Sequence, residues 1–524
     1  MRRILKRVAV ASIVVPVLVL GVIAMGHTQD AGARLFQQVF SRVEHDAIDT
    51  LGSQELYEKA ARGLIDQLGD PYADLYSPEQ LARFSRQAIG NAYGGVGMQI
   101  EDQQGMITVM RVFPNTPARS AGVQAGDRII GVDGQSTRGW KIDAVSNALL
   151  GTPGTKVNAT FARVGVDEPI HVEFTRARVH VPAVPYTLMM AGDVGYIPLQ
   201  RFNDAAAGEV EQAMDTLSKQ GARAFVLDLR GNPGGSLDQA IDIADLFVPK
   251  GDEIASVRYR SQPEDVFWAR RDPLQLDVPT IVLADGYTAS ASEILAGALQ
   301  DHDRALVVGT TTFGKGVVQN LFPLDGGWAL KITTGKWYTP VGRSIQREKL
   351  GNAVQGANAD TTAPRPIYHS DSGRVIYGGG GITPDLVVEP DTLTAPEQTL
   401  MREISPHSQQ SYVSLYDLAL SVKDSVAPGF QIKPEWRARY LKDLREAGVK
   451  VDSATYAGAS DLINQWLVQR IASLAFGDST AFRREAQYDT QLQTALDLLH
   501  SGHTLHDLFA LAQQRKSTGA GQGS

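Results

Sequence analysis

The pattern of hydrophobic and polar positions changes three times along the chain, and each change marks a predicted boundary. Between residues 34 and 88, apolar residues recur every three or four positions, which indicates amphipathic helices. Between residues 93 and 178 they alternate with polar residues, which indicates short strands. Strands and helices alternate between residues 189 and 390, as in a parallel or mixed sheet covered by helices. Helical spacing returns between residues 394 and 514.

These patterns predict an α/β multidomain protein with helical segments towards both ends of the chain. The predicted segments, in chain order, are a signal peptide or membrane anchor at residues 1–27, a helical segment at 28–90, a strand-rich domain at 91–178, an α/β core at 179–390, and a helical segment with a disordered tail at 391–524, the tail starting at Lys516. Residues 350–381 are rich in Asn, Gly, Ala and Pro, which predicts an irregular surface insertion before a closing strand.

The first 25 residues predict that the protein is exported across the cytoplasmic membrane. Four cationic residues among the first seven precede an uncharged run from Val8 to Met25, which is just long enough to span a bilayer. The charges predict that the N-terminus stays cytoplasmic and that the rest crosses the membrane. We expect a retained anchor at residues 8–25, and cleavage near Ala24–Gly26 is the alternative. Either outcome predicts a periplasmic or otherwise extracytoplasmic protein.

The composition excludes several classes of chemistry. The 524 residues include no cysteine, which rules out thiol nucleophiles and disulfides. A net charge of −8 argues against a nucleic-acid partner. The ten histidines show no His-x-x-x-His spacing, so neither a metal site nor a cofactor is predicted.

Ser290 is the first candidate catalytic residue. It follows an apolar, β-branched run at Thr280–Ala284, which predicts a buried strand, and it precedes a helical pattern. A serine at a helix N-terminus has backbone N–H groups and a favourable dipole beside it, which suits a nucleophile. The alternative is a capping box, in which Ser290 caps the helix and Glu293 reaches back. Ser292 is a rival nucleophile, but it falls one step into the predicted helix and would turn away.

Lys315 is the candidate base. It lies between two glycines in an apolar stretch, and burial there would disfavour the charged amine, lower its pKa and let it accept a proton. On a predicted strand, Lys315 and Gln319 point to the same face, so Gln319 could orient the amine. The alternative is a lysine whose head lies in solvent, as for most lysines.

A glycine loop at Asp228–Gly235 is the third candidate element. It follows a predicted buried strand, and open α/β sheets bind ligands at the carboxyl ends of such strands. The backbone amide of Gly234 or Gly235 could hold an oxyanion together with the Ala291 N–H. The alternative is an ordinary turn, because Asn-Pro-Gly-Gly is also common turn chemistry.

The strand-rich domain carries Pro-Ala, Ala-Gly, Gly-Asp-x-Ile and Val-Asp-Gly in this order between residues 117 and 134. The succession resembles a PDZ domain. The resemblance implies a groove that takes an extended peptide by strand addition and holds its C-terminal carboxylate on loop amides. Gly94, Gly95, Val96 and Gly97 occupy the position of that loop, where glycines let a ligand approach the backbone. The alternative is that these glycines only make a tight turn.

The motifs together resemble those of the carboxyl-terminal processing peptidases, or tail-specific proteases, over roughly residues 68–390. They are Gly-Asp-Pro-Tyr at 69–72, the PDZ string, Asp-Leu-Arg-Gly-Asn-Pro-Gly-Gly at 228–235, Thr-Ala-Ser-Ala-Ser-Glu-Ile at 288–294, Phe-Gly-Lys-Gly-x-x-Gln at 313–319, and Tyr-Thr-Pro-x-Gly-Arg-Ser-Ile-Gln at 338–346. The resemblance implies that Ser290 is the nucleophile, Lys315 its general base and Gln319 the residue that orients the base.

The same resemblance implies a crotonase-like ββα superhelix for the core, with the PDZ domain inserted, and an oxyanion loop at Gly234 and Gly235. The insertion at residues 350–381 and the helical C-terminal segment depart from the family pattern. Neither departure touches a residue that the resemblance places in the catalytic site.

The predicted function is a serine endopeptidase that recognises exposed apolar C-terminal tails of proteins or peptides and cleaves with a Ser–Lys pair. The membrane is a second predicted partner, and a homo-oligomer is left open. The main alternative is a catalytically weak PDZ scaffold for tail-bearing partners. An acyl-CoA enzyme on the related fold would need a phosphate loop, and the sequence has none. A Ser–His–Asp enzyme would have to use His302 and Asp303, which lie at the far end of the predicted helix.

Overall fold

The computed structural model describes residues 31–88, 92–103, 105–163, 166–190, 192–274, 278–347 and 365–520. The chain forms two compact units, described separately below: Met1–Glu79 with Gln319–Thr333, and Gln80–Val318 with Thr334–Ser524. The predicted anchor at residues 8–25 lies outside the described residues. Among the helices that the structure describes, none has both the length and the apolar composition required to cross a membrane.

The helices and strands take their labels in chain order. The helices are α1 Ala31–Asp46, α2 Ser53–Asp66, α3 Pro78–Ala88, α4 Pro117–Ser120, α5 Ile142–Leu149, α6 Ala206–Lys219, α7 Leu237–Ala244, α8 Ala291–Asp301, α9 Ala395–Ile404, α10 Ser408–Val422, α11 Pro434–Glu446, α12 Ser453–Gly458, α13 Ser460–Phe476, α14 Asp478–Glu485, α15 Thr490–Ser501 and α16 Leu505–Ala520. The strands are β1 Asp74–Tyr76, β2 Ala92–Gly95, β3 Met98–Gln103, β4 Met106–Val112, β5 Arg128–Val132, β6 Gln135–Ser136, β7 Lys156–Ala162, β8 Ile170–Thr175, β9 Ala177–His180, β10 Leu188–Met190, β11 Val194–Pro198, β12 Ala224–Asp228, β13 Glu253–Tyr259, β14 Asp265–Trp268, β15 Thr280–Ala284, β16 Leu306–Gly309, β17 Val317–Pro323, β18 Ala329–Tyr338, β19 Ile367–His369, β20 Val375–Tyr377 and β21 Leu386–Val387.

The smaller unit holds α1, α2, β1 and a β-hairpin. β1 pairs antiparallel with the start of β18, so that Asp74 lies opposite Lys331. The turn before β1 fastens this pairing, because the Asp70 carboxylate accepts the backbone N–H of Thr333 (3.0 Å). Helix α1 buries none of its residues, and its apolar stripe lies open to solvent, with Leu35 62% exposed.

The larger unit begins with the strand-rich region. Its main sheet has the order β3-β4-β5-β7-β8, with β6 paired to β5, while β2 pairs separately with β9. Alternating apolar residues of these strands meet helix α5 in one core, which includes Val109, Val145 and Phe161. The alternating spacing predicted short strands and one helix here; the structure has these elements and, in addition, the short helix α4 and the strands β2, β6 and β9.

A second sheet of the larger unit carries the candidate chemistry. Its order is β10-β11-β12-β15-β16-β21, with β10 antiparallel and the other neighbours parallel. Every residue of β12 and β15 is buried, as expected for strands covered on both faces. One face packs against α6, α7 and α8, and the other against α15 and α16. The helical C-terminal segment thus completes the core of this sheet.

Helices α9 to α13 form a further apolar cluster that includes Leu400, Tyr440 and Leu467. This part of the segment also contacts the PDZ-like region. The Tyr416 hydroxyl of α10 donates to the Val109 carbonyl (3.2 Å), and Arg111 forms an ion pair with Asp478 at the start of helix α14 (2.9 Å).

Two sequence expectations about irregular segments are wrong in part. The tail predicted to be disordered from Lys516 is instead helical as far as Ala520, where helix α16 ends. The predicted irregular insertion contains a β-hairpin, formed by β19 and β20, in its described part from residue 365 onwards. Arg374 anchors this hairpin through ion pairs with Asp303 and Asp385. The remainder of the insertion, up to residue 364, lies outside the described residues.

Candidate active site

Ser290 lies at the N-cap of helix α8, directly after the turn that leaves strand β15. Its backbone has φ 57° and ψ −116°, a conformation that costs a non-glycine residue about 1–3 kcal/mol. Strained residues at a strand-to-helix turn present their side chains at the top of an α/β sheet. The Ser290 side chain is partly exposed, whereas all eleven residues of α8 are buried.

The rival residues of the sequence analysis lie elsewhere. Ser292 is fully buried, and its hydroxyl donates to the Asn232 carbonyl (3.0 Å). His302 caps the opposite end of α8, about 18 Å away at a helical rise of 1.5 Å per residue. It contacts the Asp371 carboxylate (2.8 Å) and the Glu253 carbonyl (2.6 Å). The geometry therefore offers no Ser–His–Asp arrangement at Ser290 within the described residues.

Glu293 joins the loop of Ser290 to the loop of Lys315. Its Oε2 accepts the backbone N–H of Ser290 (2.8 Å) and that of Lys315 (2.9 Å). Its Oε1 accepts the N–H of Gly314 (2.7 Å) and the hydroxyl of Thr312 (2.5 Å). Burial raises the pKa of this fully buried carboxyl group, and the hydrogen bonds that it accepts oppose that rise. One carboxylate thus fixes both candidate catalytic residues through their backbones.

Lys315 lies in an irregular loop and not on a strand, so the predicted strand geometry at this position is wrong. Strand β17 begins only at Val317. The reason is that the N–H groups of Gly314 and Lys315 point to Glu293, with Gly314 at φ 88°, instead of pairing with a neighbouring strand. On the other side, the Trp337 indole N–H donates to the Lys315 carbonyl (3.1 Å).

The family motif at residues 338–346 holds the same loop in place. The Gln346 side chain accepts the N–H of Gly316 (2.8 Å). Arg343 is fully buried and forms an ion pair with Asp301 at the end of α8 (2.6 Å). This motif therefore holds both the lysine loop, through Gln346, and the end of helix α8, through Arg343.

Gln319 lies on β17, two residues after the strand begins, and belongs to the smaller unit. Its side-chain nitrogen is buried and has no hydrogen-bond partner within the described part of the chain. Its predicted role in orienting the Lys315 amine stays a prediction.

The glycine loop after β12 packs directly against Ser290. A Cβ added to Gly234 would lie 3.0 Å from the Ser290 Cβ and 2.9 Å from the Ala291 nitrogen. The Gly234 N–H donates to the Asn232 side chain (2.9 Å), and that side chain donates in turn to the Leu199 carbonyl (2.7 Å). In the described chain, no hydrogen bond from the amides of Gly235 or Ala291 is found. These two amides are the ones open to an oxyanion.

Arg230 anchors the start of the glycine loop. Its guanidinium contacts the Asp228 carboxylate (2.7 Å) and the Asp489 carboxylate at the N-terminus of helix α15 (2.7 and 2.9 Å). Gln491 accepts a further bond (3.1 Å). Burial disfavours the charge of Arg230, but Asp228 and Asp489 outweigh it and raise the pKa of the guanidinium. The C-terminal segment therefore reaches the candidate oxyanion loop.

The predicted peptide-binding loop, Gly94 to Gly97, lies only partly in a loop: Gly94 and Gly95 end strand β2 and pair with β9, whereas Val96 and Gly97 connect β2 to β3. The carbonyls of Val96 and Gly97 accept the N–H groups of Ala118 (2.8 Å) and Phe113 (3.0 Å). No hydrogen bond from the amides of Val96 and Gly97 is found in the described chain. Gly97 has φ 88°, and a Cβ there would lie 2.3 Å from Thr116, so the loop requires glycine.

Sequence reasoning missed several residues of this site. The capping box identified Glu293, but its bonds to Thr312, Gly314 and Lys315 come from a separate loop that carries no local signal. The contact of Arg230 with Asp489 joins positions 259 residues apart, and no local sequence pattern predicts it. Within the described residues, no group of three or more His, Asp or Glu side chains is placed to hold a metal ion.

Comparison with known proteins identifies the family. Residues 193–355 match the sequence profile of Peptidase family S41, and residues 108–163 match that of the PDZ domain. The chain is 36% identical to the carboxy-terminal-processing protease of Bartonella bacilliformis, over 68% of this chain and 74% of that protein. It is 33% identical to the carboxy-terminal processing protease CtpA of Bacillus subtilis, over 64% of this chain and 71% of that protein.

Among solved structures, the photosystem II D1 C-terminal processing protease matches at 30% identity and a TM-score of 0.36, over 59% of this chain and 83% of that one. The profiles and the curated relatives confirm the family that the sequence motifs predicted. The chain belongs to the carboxy-terminal processing proteases of peptidase family S41, which are serine-type peptidases, and it carries a PDZ domain.

Proposed function

We propose that the protein is a serine endopeptidase that captures exposed apolar C-terminal tails on its PDZ domain and cleaves with Ser290 and Lys315. The observation that carries the proposal is the shared Glu293 carboxylate, which holds the backbones of both residues. A hydroxyl nucleophile needs a base within reach, and a loop fixed in this way can supply one. The family relation supports the same assignment.

In the proposed mechanism, the neutral Lys315 amine accepts the proton of the Ser290 hydroxyl, and the oxygen attacks the peptide carbonyl. The N–H groups of Gly235 and Ala291 stabilise the oxyanion, because both are open to a ligand and flank the nucleophile. Gly234 has its own N–H bound by Asn232 and shapes the loop. The protonated lysine then gives its proton to the leaving amine, and water hydrolyses the acyl-enzyme.

Further parts of the proposal rest on the family and the sequence. Gln319 orients the Lys315 amine, and the core follows the crotonase-like ββα superhelix. Residues 8–25 anchor the protein so that its body works outside the cytoplasmic membrane, on protein or peptide substrates. The hydrophobic stripe of α1 supports self-association, because exposed apolar patches are typical of interfaces.

The test compares Ser290→Ala and Lys315→Ala with the parent protein on an unstructured substrate that ends in apolar residues. Each variant should lose at least about a thousandfold in kcat, while tail binding persists. Ser292→Ala and Lys336→Ala are the matched controls and should keep most of the activity. Wild-type cleavage by Ser290→Ala would overturn the assignment. Labelling of Ser290 by an acylating probe would separate an active protease from a scaffold.

A further inference from the structure

A groove of about 440 Å³ runs along the PDZ domain between strand β3 and helix α5. β3 is the edge strand of its sheet, so its outer backbone groups are open to a further strand. Met98 and Ile100 line the strand side, and Asn147, Leu149 and Leu150 line the helix side. This groove suits an extended peptide with an apolar end.

Arg201 reaches the same groove from the protease core. The Asn203 side chain, two residues further on, donates to the Val181 carbonyl (2.8 Å). Val181 follows strand β9, which pairs with β2 so that Val179 lies opposite Tyr93. Tyr93 directly precedes the loop at residues 94–97. Arg201 therefore lines the same groove as the loop residues Val96 and Gly97.

The helix side of the groove ends at the same loop. The N–H of Gly151, just beyond helix α5, donates to the Gly94 carbonyl (3.0 Å). Successive open amides such as those of Val96 and Gly97 attract an anion. A cation and an anion-binding loop thus line one groove, whose walls are partly apolar and partly polar.

The charges around the groove leave Arg201 without an acceptor. Its Nε is buried and has no hydrogen-bond partner in the described chain. Arg83 and Asp143 also line the groove, but they face each other 3.5 Å apart and offset each other. A buried guanidinium nitrogen without an acceptor is costly, and a carboxylate offers two oxygens in matching geometry.

We propose that Arg201 receives the C-terminal carboxylate of a tail bound in this groove, beside the amides of the loop at residues 94–97. This inference rests on the proposed function, because it assigns a residue that reads the end of the tail. The PDZ resemblance implies a carboxylate site made of loop amides, and the inference adds to that site a side chain from the protease core.

The position of Arg201 also connects the groove to the oxyanion loop. Its neighbour Phe202 pairs with Gly235 in a parallel β-bridge. The Phe202 N–H donates to the Gly234 carbonyl (3.1 Å), and the Ser236 N–H donates to the Phe202 carbonyl (2.8 Å). Gly234 packs against Ser290 in turn. A carboxylate bound to Arg201 therefore restrains the residue next to Phe202, and Phe202 pairs with the oxyanion loop. We therefore expect tail binding to raise kcat as well as lower KM.

The binding test uses the full-length chain with Ser290→Ala, so that no cleavage occurs. Its probe is a decapeptide with apolar C-terminal residues, prepared as the free acid and as the C-terminal amide. Adding Arg201→Met should weaken binding of the acid by about ten- to a hundredfold and leave that of the amide unchanged. Arg201→Lys should restore part of the difference. Arg178→Met, an exposed arginine on β9 outside the groove, is the matched control and should bind like the parent.

The outcomes separate this inference from the function on which it rests. If the Ser290→Ala parent binds acid and amide equally, recognition of the tail carboxylate fails, and the role of Arg201 fails with it. If the parent prefers the acid and Arg201→Met keeps that preference, only the role of Arg201 is overturned. With Ser290 intact, Arg201→Met should raise KM and lower kcat on a tailed, unstructured protein. A raised KM with unchanged kcat would contradict the proposed coupling of Arg201 to the oxyanion loop through Phe202.

Discussion

Glu293 is the single residue on which the positions of both candidate catalytic residues depend. Its carboxylate accepts four hydrogen bonds, from Ser290, Thr312, Gly314 and Lys315. Since Ser290 adopts a positive φ without being glycine, the bond to its N–H also stabilises strained backbone. An ordinary helix cap binds the N–H groups of one helix end, whereas this one also fixes the loop of the candidate base Lys315.

Replacing Glu293 by Gln should therefore misplace the two loops without removing a group that touches substrate. In either orientation the amide nitrogen would face at least one backbone N–H donor, so we expect kcat to fall about ten- to a hundredfold and KM to change little. Stability should fall by about 1–3 kcal/mol, measured by urea unfolding.

The matched control is Glu397→Gln, because Glu397 closes an exposed capping box at Thr394. It should leave kcat unchanged. Equal kcat in the Glu293 and Glu397 variants would show that Glu293 has no positioning role.

Helix α15 is the element that ties the C-terminal segment to the candidate site. It covers one face of the central sheet, and Asp489 at its N-terminus contacts Arg230 beside the glycine loop. The Tyr196 hydroxyl donates to Asp228 (2.8 Å), the second carboxylate that faces Arg230. The start of the loop is thus held by a buried network of charges, in which the loss of one member is costly.

Asp489→Asn should weaken this network while keeping the helix cap, because asparagine can still accept the N–H of Leu492. We expect kcat to fall about tenfold with a smaller change in KM, measured in steady-state cleavage. Asp497→Asn on the same helix is the control, since Asp497 is exposed and its pair with Arg515 spans 3.9 Å. Equal losses in both variants would contradict a specific role for Asp489.

The elements differ in how far the sequence predicts them. Strand β12 and helix α6 follow from an unbroken apolar run and from helical spacing, which are local properties. The loop at Lys315 does not, because its backbone pairs with a buried carboxylate 22 residues away in sequence. In the same way, residue types alone make Ser290, Lys315 and the glycine loop candidates, and their catalytic roles stay predictions. The contacts of Arg230 depend on packing between distant parts of the chain.

Across the whole molecule, the C-terminal segment is part of the protease core. Leu492, Leu496 and Leu498 pack on the face of the sheet formed by Val226 and Ile281. Sequence motifs end near residue 390, which suggests a boundary there, but the hydrophobic core continues beyond it. The C-terminal segment stabilises the folded protein because it buries the apolar face of this sheet.

Deletion of residues 395–524 should expose that face and leave a chain that aggregates, as judged by soluble yield and circular dichroism. Leu498→Ala gives a graded measurement and should lower the free energy of unfolding by about 2–5 kcal/mol. Leu35→Ala, on the exposed stripe of α1, should change it by less than about 0.5 kcal/mol. A soluble, folded and active truncated chain would contradict the structural role of the segment.

The contact between Arg230 and Asp489 has a consequence for how the protein is made. A ribosome adds 259 residues after Arg230 before Asp489 exists. At about 5–20 residues per second, this interval is on the order of tens of seconds. Throughout that time the glycine loop lacks one of its two carboxylate anchors, and one face of the catalytic sheet lacks its cover. A nascent chain therefore cannot assemble the complete site until synthesis is nearly finished.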